Sequence, residues 1–396
     1  MLSAITLKLN KNVRLIFILS IIAFTFLRLA IGGFNFSYFV VAGSDFATQI
    51  HNPNLIINQG QGYDGQFFYR YAHQPLSTEK TAYGITVDHP EYRIQRILYP
   101  ATSWMLSLGG NKTLVPIWLV LTNALAFIGL FWICLKITQH YDTPKIYTLL
   151  PIFLFGGYMA LARNTSELFE VFFFGLSIYA LIKDKIVLYT LSILFAIFSR
   201  ETSLIAIAPL TLFFTLKLIK NQGINIKSIL KVILFTLPFI SIVLWKYYIA
   251  ITINPDKLVD GSQNLSLPIL GIIEGAKANF NFNDTKSIFE TIFWFSYFIW
   301  NVWFLIIVLK KIHFKTILSL STESILHLAY VLWAFFTLIL GPAIYIDDWG
   351  FVRIFTLWNF LGFIILIQSK KTINKYFIIY SAVLLATTLF RLIIRV

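Results

Sequence analysis

Acids are scarce in this chain. Its 18 aspartates and glutamates face 32 lysines and arginines, and charged residues make up only 13% of 396. Cysteine is scarcer still: Cys134 stands by itself, so no disulfide framework or cysteine-based zinc site can form within the chain. It lies inside the run LVPIWLVLTNALAFIGLFWICLKI, which favours a packed thiol over a reactive one. No nucleotide-binding glycine-rich loop, Walker motif or serine nucleophile elbow occurs. HExxH is missing, and His51, His73 and His89 lack metal-ligand spacing. Internal repeats, low-complexity tracts and the matched glycine and proline breaks of inverted-repeat transporters are also absent.

What the chain has instead is apolar length. Hydrophobic residues make up 58%, phenylalanine alone numbers 39, and the mean hydropathy is +0.75. Such a chain is solvated mainly by lipid. The expected class is an all-α polytopic membrane protein, a single transmembrane domain over residues 1–396. Apolar runs predict about eleven spans, at 15–31, 114–137, 146–161, 168–182, 186–198, 203–218, 229–253, 288–309, 325–346, 351–367 and 376–394. The fifth is shorter than the roughly 17 to 25 residues a span needs, so Lys185 and Arg200 must reach the two interfaces or a cavity. The amino terminus resembles a signal peptide, but its run is long, holds Arg28 and lacks a clear small-x-small cleavage site before Asp45. An uncleaved first span is therefore expected.

Threading these spans sorts the charges. One side receives 17 basic residues, from Lys8 to Lys375, against Asp142, Asp184 and Glu323; the difference, 17 − 3 = +14, equals the whole formal net charge. That bias is the positive-inside pattern, which makes the lysine-rich side cytoplasmic. The basic excess is thus a topology signal, and no nucleic-acid partner is expected.

On the other side lie a long first loop, 34–112, and a second, 254–286. The first is polar and aromatic together, as in GYDGQFFYRYA, a composition that argues against disorder. Within it, EYRIQRILYPATSWMLSL predicts an amphipathic or half-inserted helix with Arg93 and Arg96 on one face. The informative polar residues all fall on this side: Asp64, Gln66 and Arg70, then Asp88, Glu91, Arg93 and Arg96. Three further turns add Arg163 with Glu167, Arg200 with Glu201, and Asp347 and Asp348 with Arg353. Charges at the membrane boundary cost a few kcal/mol each unless they pair or line a wet cavity. One polar chamber at the outer surface accommodates all four turns. The plainer alternatives are local helix-end ion pairs at Arg163/Glu167 and Arg200/Glu201, headgroup snorkelling for Arg353, and a turn cap for Asp64.

Arginines in a chamber with few lysines favour bidentate contact with phosphate, and a phosphate at the bilayer edge suits one carrying a lipid tail. A carboxylate there can act as general base on an acceptor hydroxyl. Together these parts describe glycosyl transfer. The order of one basic-flanked helix, a long outer loop with an early acid, and about ten further helices resembles the GT-C superfamily of integral-membrane glycosyltransferases. GYDGQFFYRYA, YRIQRILYP and FSRETS are similar to motifs of its bacterial, mannosyltransferase-like members. The resemblance implies a polyprenyl-phosphate-linked sugar donor and a glycan, lipid or protein acceptor. It also implies a bacterial cytoplasmic (inner) membrane location with the site facing the periplasm or exterior. Asp64 inherits the catalytic acid, and Arg93, Arg96, Arg163, Arg200 and Arg353 the donor phosphate. Gly65 and Gln66 follow Asp64 where many members show a paired acid, so a second acid would come from Asp88, Glu91 or Glu167. Gln66, Arg70, Glu201, Asp347 and Asp348 are supporting candidates. A divalent cation, Mg or Mn, is an open expectation. An envelope polysaccharide polymerase or ligase is the alternative enzyme, and a lipid-linked-oligosaccharide transporter the alternative outside enzymes.

Overall fold

The computed structural model describes residues 2–49, 53–253, 264–312 and 321–394. Helix α1 (Leu2–Ile31) leads into the segment 32–113, and α5 (Leu114–His140) leaves it. The remaining long elements are helices: α6 (Phe155–Ala162), α7 (Glu167–Ile182), α8 (Ile186–Ser199), α9 (Leu204–Gln222), α10 (Ile226–Thr252), α11 (Leu270–Asn279) and α12 (Thr285–Leu309). After them come α13 (Thr322–Leu338), α14 (Pro342–Ile346), α15 (Asp348–Ile354), α16 (Thr356–Ser369) and α17 (Lys375–Ile394).

Six helical segments are long and apolar enough to cross a membrane: Asn12–Ile31, Leu114–His140, Glu201–Gln222, Ile226–Thr252, Thr285–Leu309 and Lys375–Ile394. Two bent pairs raise the number to eight: a 3-10 stretch, Lys145–Phe153, with α6 (56°), and α15 with α16 (45°). The protein is thus multi-pass, with six to eight such spans among the described residues where the apolar runs suggested eleven. The shortfall is geometric. At about 1.5 Å per residue, the 16 residues of α7 and 14 of α8 make rods of about 24 and 21 Å, below the ~30 Å hydrocarbon thickness. Pro151, which has no N–H to donate, sits just before the first bend.

Burial separates the helices by role. In α10, Ile229, Leu230, Ile233, Leu237, Val243 and Leu244 are exposed, a face made for lipid. In α16 every residue from Thr356 to Ile367 is buried, so its apolarity serves the protein interior. Hydropathy gives both helices the same reading; only packing distinguishes them.

The outer segment is built of short pieces. Strands β1 (Ala42–Gly43) and β2 (Ile57–Asn58) pair in parallel, and β3 (Thr81–Ala82) pairs with β4 (Ile85–Thr86) across a two-residue turn. Tyr83 and Gly84 in that turn both have positive φ, as a type I′ hairpin requires. Between the two pairs lies α2 (Gly65–His73). The stretch expected as one amphipathic helix is three: α3 (Pro90–Arg93), a 3-10 turn over Ile94–Arg96, and α4 (Leu98–Leu106). Residues 254–263 of the expected second loop, and His51, lie outside the described residues; the rest of that loop contains α11.

Candidate functional site

Two glycines place Asp64. Gly62 takes φ +67°, and a Cβ there would lie 2.4 Å from the Gly43 nitrogen. A Cβ on Gly65 would lie 2.1 Å from the Arg163 carbonyl oxygen, so this glycine serves close approach, with no unusual φ. The chain between them therefore lies directly on the turn after α6. That turn is itself pinned: Asn164 adopts a left-handed φ of 48°, and Nδ2 of Asn123 on α5 donates to the carbonyls of Ala160 and Thr165.

Asp64 meets guanidiniums on both oxygens. Arg93 Nη1 donates to Oδ1 at 2.7 Å, and Arg353 Nη2, 289 positions along the chain, donates to Oδ2 at 2.7 Å. Arg93 also grips Asp88 with two bonds, Nε to Oδ1 at 2.9 Å and Nη2 to Oδ2 at 2.7 Å. Arg353 Nε lies 3.0 Å from Glu167 Oε1, and the same oxygen pairs with Arg200 Nη1. Asp88, Arg93, Asp64, Arg353, Glu167 and Arg200 thus form one charge network drawn from five segments. Beside it, Arg96 holds both carboxylate oxygens of Glu201, at 3.0 and 2.7 Å, and donates to the Tyr92 hydroxyl at 2.6 Å. Phe67 lies under the Arg93 guanidinium, 4.4 Å from its ring centre.

The network has an open end and a closed one. Side chains of Asp64, Arg93 and Asp88 are 19%, 18% and 21% exposed, against 2% for Glu167 and 3% for Arg200. A ligand from outside therefore meets Asp64 and Arg93 first. Burial pushes the Asp64 carboxyl up, but Arg93 and Arg353 outweigh it and hold the group well below the usual carboxylate range. Arg93 is correspondingly raised: Asp64 and Asp88 overcome the opposing effect of its burial.

Apart from Arg93 with Asp88, five positions away, no ion pair of this network is local. Arg163 does not pair with Glu167, nor Arg200 with Glu201; each acid takes a guanidinium from another segment. Arg353 does not snorkel, since it bridges two buried or half-buried acids. Asp64 forms no side-chain cap on α2.

Other candidates lie elsewhere. Arg70 turns away and ties the loop, donating to Ser77 Oγ at 2.7 Å and the Glu79 carbonyl at 3.1 Å. Gln66 braces the backbone, accepting from Gly43 N–H and donating to the Gln61 carbonyl. Glu91 sits 3.8 Å from His89 Nδ1 and joins no arginine. Asp348 belongs to a second cluster, where Arg391 at the end of α17 holds both it and Glu290 of α12. Asp347 accepts from Trp349 N–H as the cap of α15; burial first, then Asp348, pushes its carboxyl up to about 6.

Arg391, Trp349 and the role of Tyr63 are what the sequence reading missed. Arg391 stacks over Trp349 (3.9 Å), Arg163 over both Trp349 and Tyr63 (4.4 Å each), and Arg353 over Tyr63 (4.9 Å). This alternation of cations and rings connects the two charge clusters. Tyr63 thus meets two guanidiniums. An arginine inside the last apolar run was the available signal for Arg391, by the same logic that singled out Arg353.

For a divalent cation the donor set is wanting. Asp64 and Asp88 spend their oxygens on arginine, and among the described residues no group of three His, Cys, Asp or Glu side chains gathers. Comparison with family models, curated proteins and solved structures finds no match to this chain. The functional reading therefore rests on the residues themselves.

Proposed function

We propose that this protein is a membrane glycosyltransferase of GT-C-like architecture. It moves a hexose or pentose from a polyprenyl-phosphate donor to a cell-envelope glycan, lipid or protein acceptor on the extracytoplasmic face of a bacterial cytoplasmic membrane. The observation that carries this reading is the convergence of Arg93 and Arg353 on Asp64 at one end of the helices. In the reaction the acceptor oxygen bonds to the anomeric carbon and its proton passes to Asp64. The bond from that carbon to the donor phosphate breaks, its electron pair staying on the phosphate oxygen, which arginines stabilise. With both oxygens clamped, Asp64 is ionised but weakly basic. A donor phosphate that draws a guanidinium away restores its basicity, so base and leaving-group site are coupled.

Purified Asp64→Asn and Asp64→Ala proteins, assayed against a panel of polyprenyl-phosphate hexoses and pentoses, should keep their fold and lose about 10²- to 10⁴-fold in transfer. Full activity in both variants would remove Asp64 as the base. The two bent helix pairs favour one other reading, a lipid-linked-oligosaccharide transporter, since broken helices border transport sites. Proteoliposomes separate the two: flux of a lipid-linked oligosaccharide without sugar transfer would establish transport.

A further inference from the structure

Arg163 differs from the arginines of the two charge clusters. Arg93, Arg96, Arg200, Arg353 and Arg391 each hold at least one carboxylate. Among the described residues the Arg163 side chain donates to no acceptor and pairs with no acid, and its Nε is buried without a partner. The residue is only 5% exposed. Acids stand nearby but are engaged, Asp348 by Arg391 and Asp347 in capping α15. Burial accordingly pulls the Arg163 guanidinium below its ordinary range, whereas Arg93 and Arg96 are raised. A buried cation without a counter-ion is costly, and two ring contacts do not replace a carboxylate.

The rings also determine what is left to bind. Tyr63 and Trp349 cover the planar group at 4.4 Å, which leaves its in-plane N–H edge to donate, a fork that fits two oxygens of one anion. Trp349 also carries Arg391, which lines a cavity of about 630 Å³ with Phe289, Phe293 and Phe390 at the ends of α12 and α17. Arg391 is thus the one residue of this stack that borders the cavity; Trp349 and Arg163 lie behind it.

We propose that the free edge of Arg163 receives the phosphate of a lipid-linked phosphate ester, with Tyr63 and Trp349 as positioning residues that hold the guanidinium. The proposal rests on the glycosyltransferase reading for its lipid, and it assigns to one arginine what the sequence left to five.

The test is binding of farnesyl phosphate, farnesol and inorganic phosphate to the full-length protein, followed by native mass spectrometry. Farnesyl phosphate should bind, and Arg163→Gln should weaken it about tenfold or more while farnesol binding stays unchanged. Arg163→Lys, which keeps the charge and loses the fork, should fall in between and covers the case in which the glutamine variant does not fold. Trp349→Leu should weaken binding and Trp349→Phe restore it, a rescue that needs an aromatic face. Lys277→Gln, which removes an exposed cation of α11 outside both charge clusters, should leave binding within about threefold of the native value. Native-like binding in both Arg163 variants overturns the assignment, and inorganic phosphate binding as tightly as farnesyl phosphate overturns the lipid. The transfer assay on the native protein keeps the outcomes apart: no sugar transfer from any polyprenyl-phosphate donor, with farnesyl phosphate still bound through Arg163, sinks the glycosyltransferase reading and leaves the anion site standing.

Discussion

His73 closes α2 and shows how far one side chain can be committed to its surroundings. Its Nδ1 lies 2.9 Å from the Gly110 carbonyl, its ring stacks on Tyr83 at 4.5 Å, and burial pushes its pKa down to about 4. The folded state therefore holds neutral imidazole, while the unfolded chain takes up a proton near 6.5. Stability from this group is complete above about 6.5 and lost as pH falls towards 4. Hydrogen-exchange protection factors across residues 65–110 should fall on acidification through that window, and His73→Gln should flatten the dependence. An unchanged slope in the variant would assign the effect to another group. Asp64 illustrates the opposite commitment, an acid kept charged by two arginines at the cost of its basicity.

Among the elements, α2 is the one whose placement is most demanding. Its first residue lies against the turn after α6 with no room for a methyl group. Gly65→Ala must push α2 away from Arg163 and loosen the Asp64–Arg353 bond. Loss of about 1–3 kcal/mol in stability, as for an overpacked core, is expected with a matching fall in transfer, measurable by thermal unfolding. The requirement at Gly65, close approach to the carbonyl of a residue 98 positions away, could not be read from the sequence. The helices were legible as helices because an apolar run of fifteen or more residues leaves few options. Their roles were not, because α10 and α16 are equally apolar and only their neighbours differ.

At the scale of the molecule, the outer segment is fastened to the bundle by charge. Arg96 and Glu201 bridge 105 positions, and a double-mutant cycle with Arg96→Ala and Glu201→Ala should return a coupling on the order of 1 kcal/mol. Additive single effects would mean that the pair contributes little to docking. That arginines and acids would meet on one side was legible, because topology placed four charged turns there. Which acid met which arginine was not. The pairs suggested by proximity in sequence, Arg163 with Glu167 and Arg200 with Glu201, gave way to partners set by tertiary packing. Arg391 escaped notice as a lone charge near the end of a hydrophobic run, and Trp349 as one more aromatic at a helix end.

Arg353 lies three residues before α16, the helix wrapped by protein on every side. A ribosome feeding this chain into a bilayer delivers Asp64 and Arg93 early, but the second clamp on that carboxylate arrives only with the last quarter of the polypeptide. Until then the acid has one guanidinium, and the space that α5, α7, α12 and α13 leave for α16 is unfilled. Completion of the charge network and closure of the protein interior are thus a single late step of biogenesis.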